Sequence, residues 1–149
     1  MYIKQLMNMY SALQPLFYVI KKLTHLHKLN DPKNNGIRTY AIILMLALFL
    51  QENGNIHSLG ELLLRFLYNF GYKHEYAYMS ESELMLLDLP DPIKPTNNVG
   101  NQTDVYSLQR MFKSSYIVLH SKTRGSKLDY LFEGKNMFIW YNTQYNYNR

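Results

Sequence analysis

The sequence predicts a mainly α fold, a compact helical domain with a buried central helix and minor β elements. Three observations predict it. From Tyr40 to Leu50 no residue is charged. Leu59, Leu62, Leu63, Phe66, Leu67 and Phe70 recur at spacings of three and four, the repeat of one helix face. Val105, Leu108, Phe112, Tyr116 and Leu119 mark a further helix near the end of the chain.

With 149 residues, 47% hydrophobic and 15% aromatic, the chain has material for one core and reads as one domain. That domain is expected over 1–141, with 142–149, made of Asn, Tyr, Thr, Gln and one Arg, as a disordered tail. Sixteen Lys and Arg against 11 Asp and Glu give +5 and a pI near 9.3, a balance that permits a polyanionic partner without requiring one. The absence of cysteine excludes disulfides and thiolate metal sites, and the five histidines show no zinc-ligand spacing. Asn8, Ser11, Gln14 and Pro15 interrupt any apolar leader, so no secretory signal is read and the cytoplasm or nucleus is expected.

In chain order, Met1 to Leu13 is mildly amphipathic, and Pro15 suits the first turn of a second helix, where its missing N–H is tolerated. Leu16, Val19, Ile20 and Leu23 form that helix's apolar stripe down to Leu29, with Lys21 and Lys22 on its flank. Asn30 to Gly36 is a turn. Gly36 to Gln51 then reads as a short helix that is apolar on every side, which makes it central and buried. It is too short for a membrane span, which needs roughly 18 or more apolar residues, and no membrane partner is expected. Thr39 is its expected N-cap. Ser58-Leu59-Gly60-Glu61 is a capping box, in which the serine hydroxyl takes the N–H three residues on and the glutamate reaches back. Gly71 is the expected stop of that helix.

Tyr72 to Leu89 loses the helical period, and Tyr76 and Tyr78 alternate as in a strand. Asp88 to Asp104 holds three of the five prolines, which keep the preceding residues extended, so it reads as a long surface loop or crossing segment. The helix from Val105 is capped by Thr103 or Asp104 and carries Arg110 and Lys113 on its outer side, with Lys122, Arg124 and Lys127 continuing the basic run. Met137 to Tyr141 reads as a short strand.

Few catalytic chemistries fit. There is no Gly-rich phosphate loop, and spacing reveals no Ser, His and acid arrangement. Two-metal phosphoryl transfer needs carboxylates that bridge divalent ions. The close acid pairs, Glu81 with Glu83 and Asp88 with Asp91, stand on no convincing strand and read as solvated loop acids. No catalytic residue and no metal ligand is therefore assigned. What remains is the start of the Thr39 helix: its unpaired N–H groups and positive dipole end suit an anion, and Tyr40 beside it offers a ring face. A plain cap and a core tyrosine is the alternative reading of the same pair.

Three blocks carry a family resemblance. LQPLFYVIKKLTHLHKLND (Leu13 to Asp31), GIRTYAIILMLALFLQ with the later LGELLLRFLYNFG, and DPIKPTNNVGNQTDVYSLQRMFKSSYIVL (Asp91 to Leu119) resemble the central and PAP-associated region of terminal nucleotidyltransferases. The pattern is most similar to the nuclear poly(A) polymerases of TRAMP-type surveillance complexes, formerly called DNA polymerase sigma, over about four fifths of the chain in order.

The resemblance implies roles residue by residue. Lys21 stands where a family lysine reaches the nucleotide triphosphate, while Lys22 faces solvent. Thr39 and Tyr40 match the end of a Gly-x-Ser-Ser-Tyr motif whose hydroxyl meets the phosphates and whose tyrosine stacks on the base; Arg38 replaces the first serine. Asp91-Pro92 opens the base-recognition loop, and Asn97 and Asn98 stand where it approaches the base edge. Relatives that add uridine often carry histidine where Asn97 stands, and the smaller amide offers room for a purine with both a donor and an acceptor. ATP is thus the implied nucleotide. Asn101 departs from the usual arginine, and the stretch from Gly71 to Asp91 is shorter than the family's.

The family's catalytic palm, with Gly-Ser, an Asp-x-Asp pair and a third Asp, precedes this region, and by resemblance Met1 begins just after it. The expectation is a truncated gene product, or a chain that works with a palm supplied elsewhere and needs that palm to use Mg²⁺ or Mn²⁺. The implied function is the nucleotide- and RNA-binding C-terminal part of a polynucleotide adenylyltransferase that acts on RNA 3′ ends in the nucleus, inactive alone. A zinc-knuckle RNA-binding protein and a helicase are the implied partners. A non-catalytic relative that serves as an RNA- or protein-binding adaptor is the alternative, and a generic helical nucleic-acid-binding domain is the third reading.

Overall fold

A computed structural model of the chain describes residues 2–74, 76–78 and 85–121. Within them the fold is mainly helical: α1 (Tyr2–Met9), α2 (Leu13–Leu26), α3 (Thr39–Glu52), α4 (Leu59–Tyr68) and α5 (Val105–His120). A two-residue antiparallel pair, β1 (Ala77–Tyr78) and β2 (Met85–Leu86), lies between α4 and α5 in sequence, with Ala77 opposite Leu86. No helix among the described residues is long and apolar enough to cross a membrane.

The uncharged run puts α3 at the centre. Ala41 to Ala47, Phe49 and Leu50 are all buried, and Leu48 is the single opening in that stretch, 54% exposed. A helix this apolar has no polar face to turn to water, so neighbours must cover it on most sides. α2 contributes buried Leu13, Leu16, Ile20 and Leu23; α4 contributes Leu62, Leu63, Phe66 and Leu67; α5 contributes Val105, Leu108, Met111, Phe112 and Val118. Phe66 joins these layers. Its ring lies 5.4 Å from Phe49, 4.8 Å from Phe70 and 5.5 Å from Phe112, and the Phe49 and Phe112 contacts are edge-to-face, the arrangement the ring quadrupoles favour.

The α2–α3 turn is set by Asp31 and Gly36. The Asp31 carboxylate accepts from the Lys33 N–H at 3.0 Å and from Asn34 Nδ2 at 2.8 Å, while its carbonyl accepts from the Gly36 N–H at 2.8 Å. Asn35 takes a left-handed φ of 61°. A Cβ on Gly36 would lie 2.5 Å from the Leu29 carbonyl oxygen and 2.6 Å from the Asp31 nitrogen, so only glycine fits where the chain folds back on itself.

Several expectations are corrected. Arg38, not Thr39, is the N-cap of α3; Thr39 is the first helical residue and its hydroxyl is engaged elsewhere. The Ser58 hydroxyl does accept from the Glu61 N–H at 3.3 Å, but the Glu61 carboxylate pairs with Arg65 at 3.0 Å, so the serine half of the capping box forms without the glutamate half. Leu59 is exposed rather than part of the buried stripe. Gly71 does not stop α4: the backbone continues from Asn69 to Lys73 as a wider π-helical turn, with Gly71 buried inside it. A Cβ there would lie 2.9 Å from the Lys113 nitrogen and 3.0 Å from its Cα, so this glycine permits the close approach of α5. Between Thr103 and Asp104, Asp104 caps α5, accepting from the Ser107 N–H at 3.1 Å. Tyr116 and Leu119 are only half-buried, and Met111, Ser115 and Val118 fill the core instead. Glu81, Glu83, the basic run at Lys122, Arg124 and Lys127, the strand expected at Met137 to Tyr141 and the expected tail lie outside the described residues.

Candidate functional site

The turn returns the start of α3 to the flank of α2. There Lys21 Nζ donates to Thr39 Oγ1 at 2.8 Å. Lys21 is half-buried and Thr39 exposed, so the contact sits at a mouth open to solvent. The helix segment beneath is fixed: buried Thr24 donates its hydroxyl to the Lys21 carbonyl at 2.7 Å. An ammonium has three donors, and the threonine oxygen occupies one.

Tyr40, the next residue along α3, points to the long loop. Its hydroxyl donates to Asp91 Oδ1 at 3.0 Å. Burial first, and the bond to Asp91 second, push the phenol up to about 12. The Asp91 carboxyl is held below the usual carboxylate range: the Ile93 N–H has the largest effect, burial opposes it as the second largest, and the Tyr40 hydroxyl, the Lys94 N–H and the Asn97 side chain add to the lowering. It is therefore an anion at neutral pH, braced by donors.

The loop closes on itself. The Asp91 N–H donates to the Asn97 carbonyl at 2.9 Å, the Asn97 N–H to the Lys94 carbonyl at 2.9 Å, and the Val99 N–H to the Leu89 carbonyl at 3.0 Å. Leu87, Leu89 and Val99 are buried anchors, and Pro92 to Asn97 form the exposed tip. At its far end the Asp104 N–H donates to the Asn35 carbonyl at 2.7 Å, which ties the loop to the turn ahead of Thr39.

Three segments far apart in sequence thus meet. Lys21 and Thr39 are joined by one hydrogen bond and Tyr40 and Asp91 by another, and the Asn97 side chain meets Asp91. Asn98 is placed differently. Its Oδ1 accepts from the N–H groups of Leu89 at 2.8 Å and Gly100 at 3.0 Å, so that oxygen is committed to the loop's own frame. Lys22 is exposed. Two features of the site go beyond the sequence reading: Arg38, noted there only as a motif replacement, is the exposed N-cap of α3 next to Thr39, and the Asn35–Asp104 bond fixes the loop. The second is backbone-to-backbone and has no side-chain signature. Among the described residues no group of three His, Asp or Glu could hold a metal ion.

Among the described residues, fold and site define a mainly helical domain in which a lysine, a hydroxyl, a phenol and a braced carboxylate gather at the start of its central helix. No protein-family model matches the chain. It is similar, at a distance, to poly(A) RNA polymerases. It is 26% identical to the inactive non-canonical poly(A) RNA polymerase protein Trf4-2 of Drosophila melanogaster, over 98% of this chain and 45% of the relative. It is 24% identical to poly(A) RNA polymerase cid14 of Schizosaccharomyces pombe, over 78% of this chain and 21% of the relative. The chain spans less than half the length of either.

Proposed function

We propose that the chain is the nucleotide- and RNA-binding helical part of a template-independent poly(A) polymerase of the TRAMP type, with ATP bound in the Lys21–Thr39 cleft. The 2.8 Å contact between Lys21 Nζ and Thr39 Oγ1 carries the reading, because it brings a cation and a hydroxyl from two helices to the first turn of α3, where free N–H groups point outward. The two remaining ammonium donors of Lys21 and the Thr39 hydroxyl hold the triphosphate by charge-assisted hydrogen bonds. Tyr40 presents its ring to the base. Asp91 and Asn97 meet the base edge, and Asn98 holds their loop in shape.

The transfer of AMP to an RNA 3′ end requires Mg²⁺ or Mn²⁺ held by carboxylates, which activate the hydroxyl and neutralise the leaving pyrophosphate. The cleft's own carboxylate is Asp91, bonded to Tyr40 on the base side. Catalysis is accordingly assigned to a palm domain, and the chain's share is to bind and orient. The nucleus, a zinc-knuckle RNA-binding protein and a helicase belong to this reading as location and partners.

Calorimetric titration with ATP tests it. Lys21→Ala is expected to weaken ATP at least tenfold, since a hydrogen bond to a charged group is worth about 1.5–3 kcal/mol, while the loss of the exposed bond to Thr39 lowers the melting temperature by only about a few degrees and leaves the fold intact. Equal affinity for both proteins would overturn the site.

A second reading has its own support. The Drosophila relative that matches nearly the whole chain is named inactive, which favours a non-catalytic RNA- or protein-binding adaptor. Template-independent extension of an RNA primer, assayed with Mg²⁺ or Mn²⁺, ATP and the palm of an active relative supplied in cis, separates the two: extension favours the polymerase, and ATP binding without extension the adaptor.

A further inference from the structure

The far end of α3 borders a cavity. It has a volume of about 410 Å³ and opens between the last turn of α3, α4, the π-helical turn and α5. α3 has 14 residues, so at 1.5 Å per residue this cavity lies roughly 20 Å from the Thr39 cleft. Tyr68, Tyr116 and His120 supply aromatic walls, Asn53 and Glu52 polar groups, and Lys73 a cation.

The rings form a ladder. Tyr116 and His120 stack with centroids 5.2 Å apart and planes 12° from parallel; Tyr68 lies 5.1 Å from Tyr116 and 5.1 Å from Tyr72. Such rings normally belong to a core, yet Tyr68 is 37% and Tyr72 41% exposed. Each of these two also carries a cation: Lys73 Nζ is 5.4 Å from the Tyr68 centroid and Lys113 Nζ is 4.9 Å from that of Tyr72. Arg65, at the same cavity, is paired with Glu61, and Glu52 is the carboxylate on the wall. Asn53 donates Nδ2 to the Phe49 carbonyl at 2.8 Å, which leaves its amide oxygen as an acceptor.

Partly exposed aromatic rings interleaved with displaceable cations suit single-stranded nucleic acid, because every base has a π-face and every linkage a negative charge. We propose that this cavity is a single-stranded RNA site, separate from the Lys21–Thr39 pair, in which a base stacks on the Tyr68 ring in the place that Lys73 takes in the free chain, while Lys73 and, outside the cavity lining, Lys113 hold the flanking phosphates. Asn53 and Glu52 stand at the base edge, where both accept from an exocyclic amino group. The inference rests on the reading of the chain as RNA-binding and adds where the RNA lies. One strand would then reach past both ends of α3, its body held at the ladder and its terminus free for the other cleft.

Fluorescence anisotropy with a short labelled oligoadenylate, run beside ATP calorimetry on the full chain, tests this. Tyr68→Leu is expected to weaken oligoadenylate roughly 5- to 150-fold, the loss of one base stack. Lys73→Gln, an exposed position that leaves folding untouched, is expected to lower the slope of log K against log salt by about 0.7. Both variants are expected to bind ATP as the parent does. Undiminished oligoadenylate affinity and an unchanged salt slope in both would overturn the site, as would absence of oligoadenylate binding by the parent chain at low salt. Loss of RNA binding in Lys21→Ala alone would overturn it too, while sparing the nucleotide cleft. Loss of ATP binding from the parent with RNA binding still sensitive to Tyr68 would support this site and sink the cleft.

Discussion

The Tyr40 hydroxyl donates to Asp91 Oδ1 at 3.0 Å, joining residues 51 positions apart in sequence. The same carboxylate oxygen accepts from the Ile93 N–H at 2.9 Å, so one atom holds both the helix start and the loop's first turn. Tyr40→Phe removes the first donor and keeps the ring. The Asp91 carboxyl is then expected to titrate closer to its ordinary range, because a donor to its charged form is gone. Amides of residues 91–98 are expected to exchange faster. NMR titration of the carboxyl and hydrogen exchange check both; an unmoved titration would mean that the donors within the loop, the Ile93 N–H first among them, set it without Tyr40.

Local signals carried the fold a long way. The uncharged run that makes α3 is read from composition alone, the Ser58 cap follows from a glutamate three residues on, and the α5 cap is narrowed to Thr103 or Asp104, of which the structure takes Asp104. Thr39 escapes the same logic by one position, because a partner 18 residues upstream, Lys21, takes its hydroxyl. Gly71 looks like any helix stop until the Lys113 backbone is found 2.9 Å from where its Cβ would be. For the site, residues alone reach Thr39 and Tyr40, where the helix begins. Lys21 and the Asp91 loop enter by resemblance, since nothing in their own spacing joins them to α3. The Tyr68–Tyr116 ladder depends on the packing of α4 against α5, and only its steps of four residues, Tyr68 with Tyr72 and Tyr116 with His120, are visible in the sequence.

Two glycines separate close packing from simple flexibility. Gly71→Ala forces a methyl against the Lys113 backbone and is expected to cost about 1–3 kcal/mol, the usual price of overpacking. At Gly54 an added Cβ would meet only the Leu50 carbonyl oxygen, at an ordinary 3.5 Å. Gly54→Ala is expected to be neutral or slightly stabilising, since it restricts the unfolded chain. Urea midpoints of the two variants measure the contrast, and equal midpoints would show that α5 gives way freely.

Nucleotide choice is expected to turn on Asn97. It is exposed at the loop tip, so Asn97→His leaves the core alone, yet it sets a larger ring beside Asp91. Calorimetry is expected to show the parent binding ATP more tightly than UTP and the Asn97→His variant narrowing or inverting that ratio by several-fold. An unchanged ratio would remove the loop from base recognition.

Stability is expected to fall in mild acid, and the cause is burial of two histidines. Desolvation lowers the pKa of His27 and of His74 in the folded state. The Nε2 of His27 is buried without a hydrogen-bond partner, and the His74 ring packs 5.1 Å from Phe70 and 4.6 Å from Tyr76. A group whose folded pKa lies below its unfolded value binds protons more readily when unfolded, so ∂ΔG/∂pH is positive between the two values. The stabilisation is therefore present above the ordinary histidine pKa of about 6.5 and is lost as pH falls through the folded values. The depressed carboxyl of Asp91 acts in the same direction but in a lower window, below the usual carboxylate range, and so is separable. Urea unfolding at about pH 7.5 and about pH 5.5 is expected to give a lower midpoint in acid, and His74→Phe, which keeps the ring contacts, is expected to shrink that difference. A midpoint that is flat across this range in the parent protein would show that neither histidine is desolvated enough to matter.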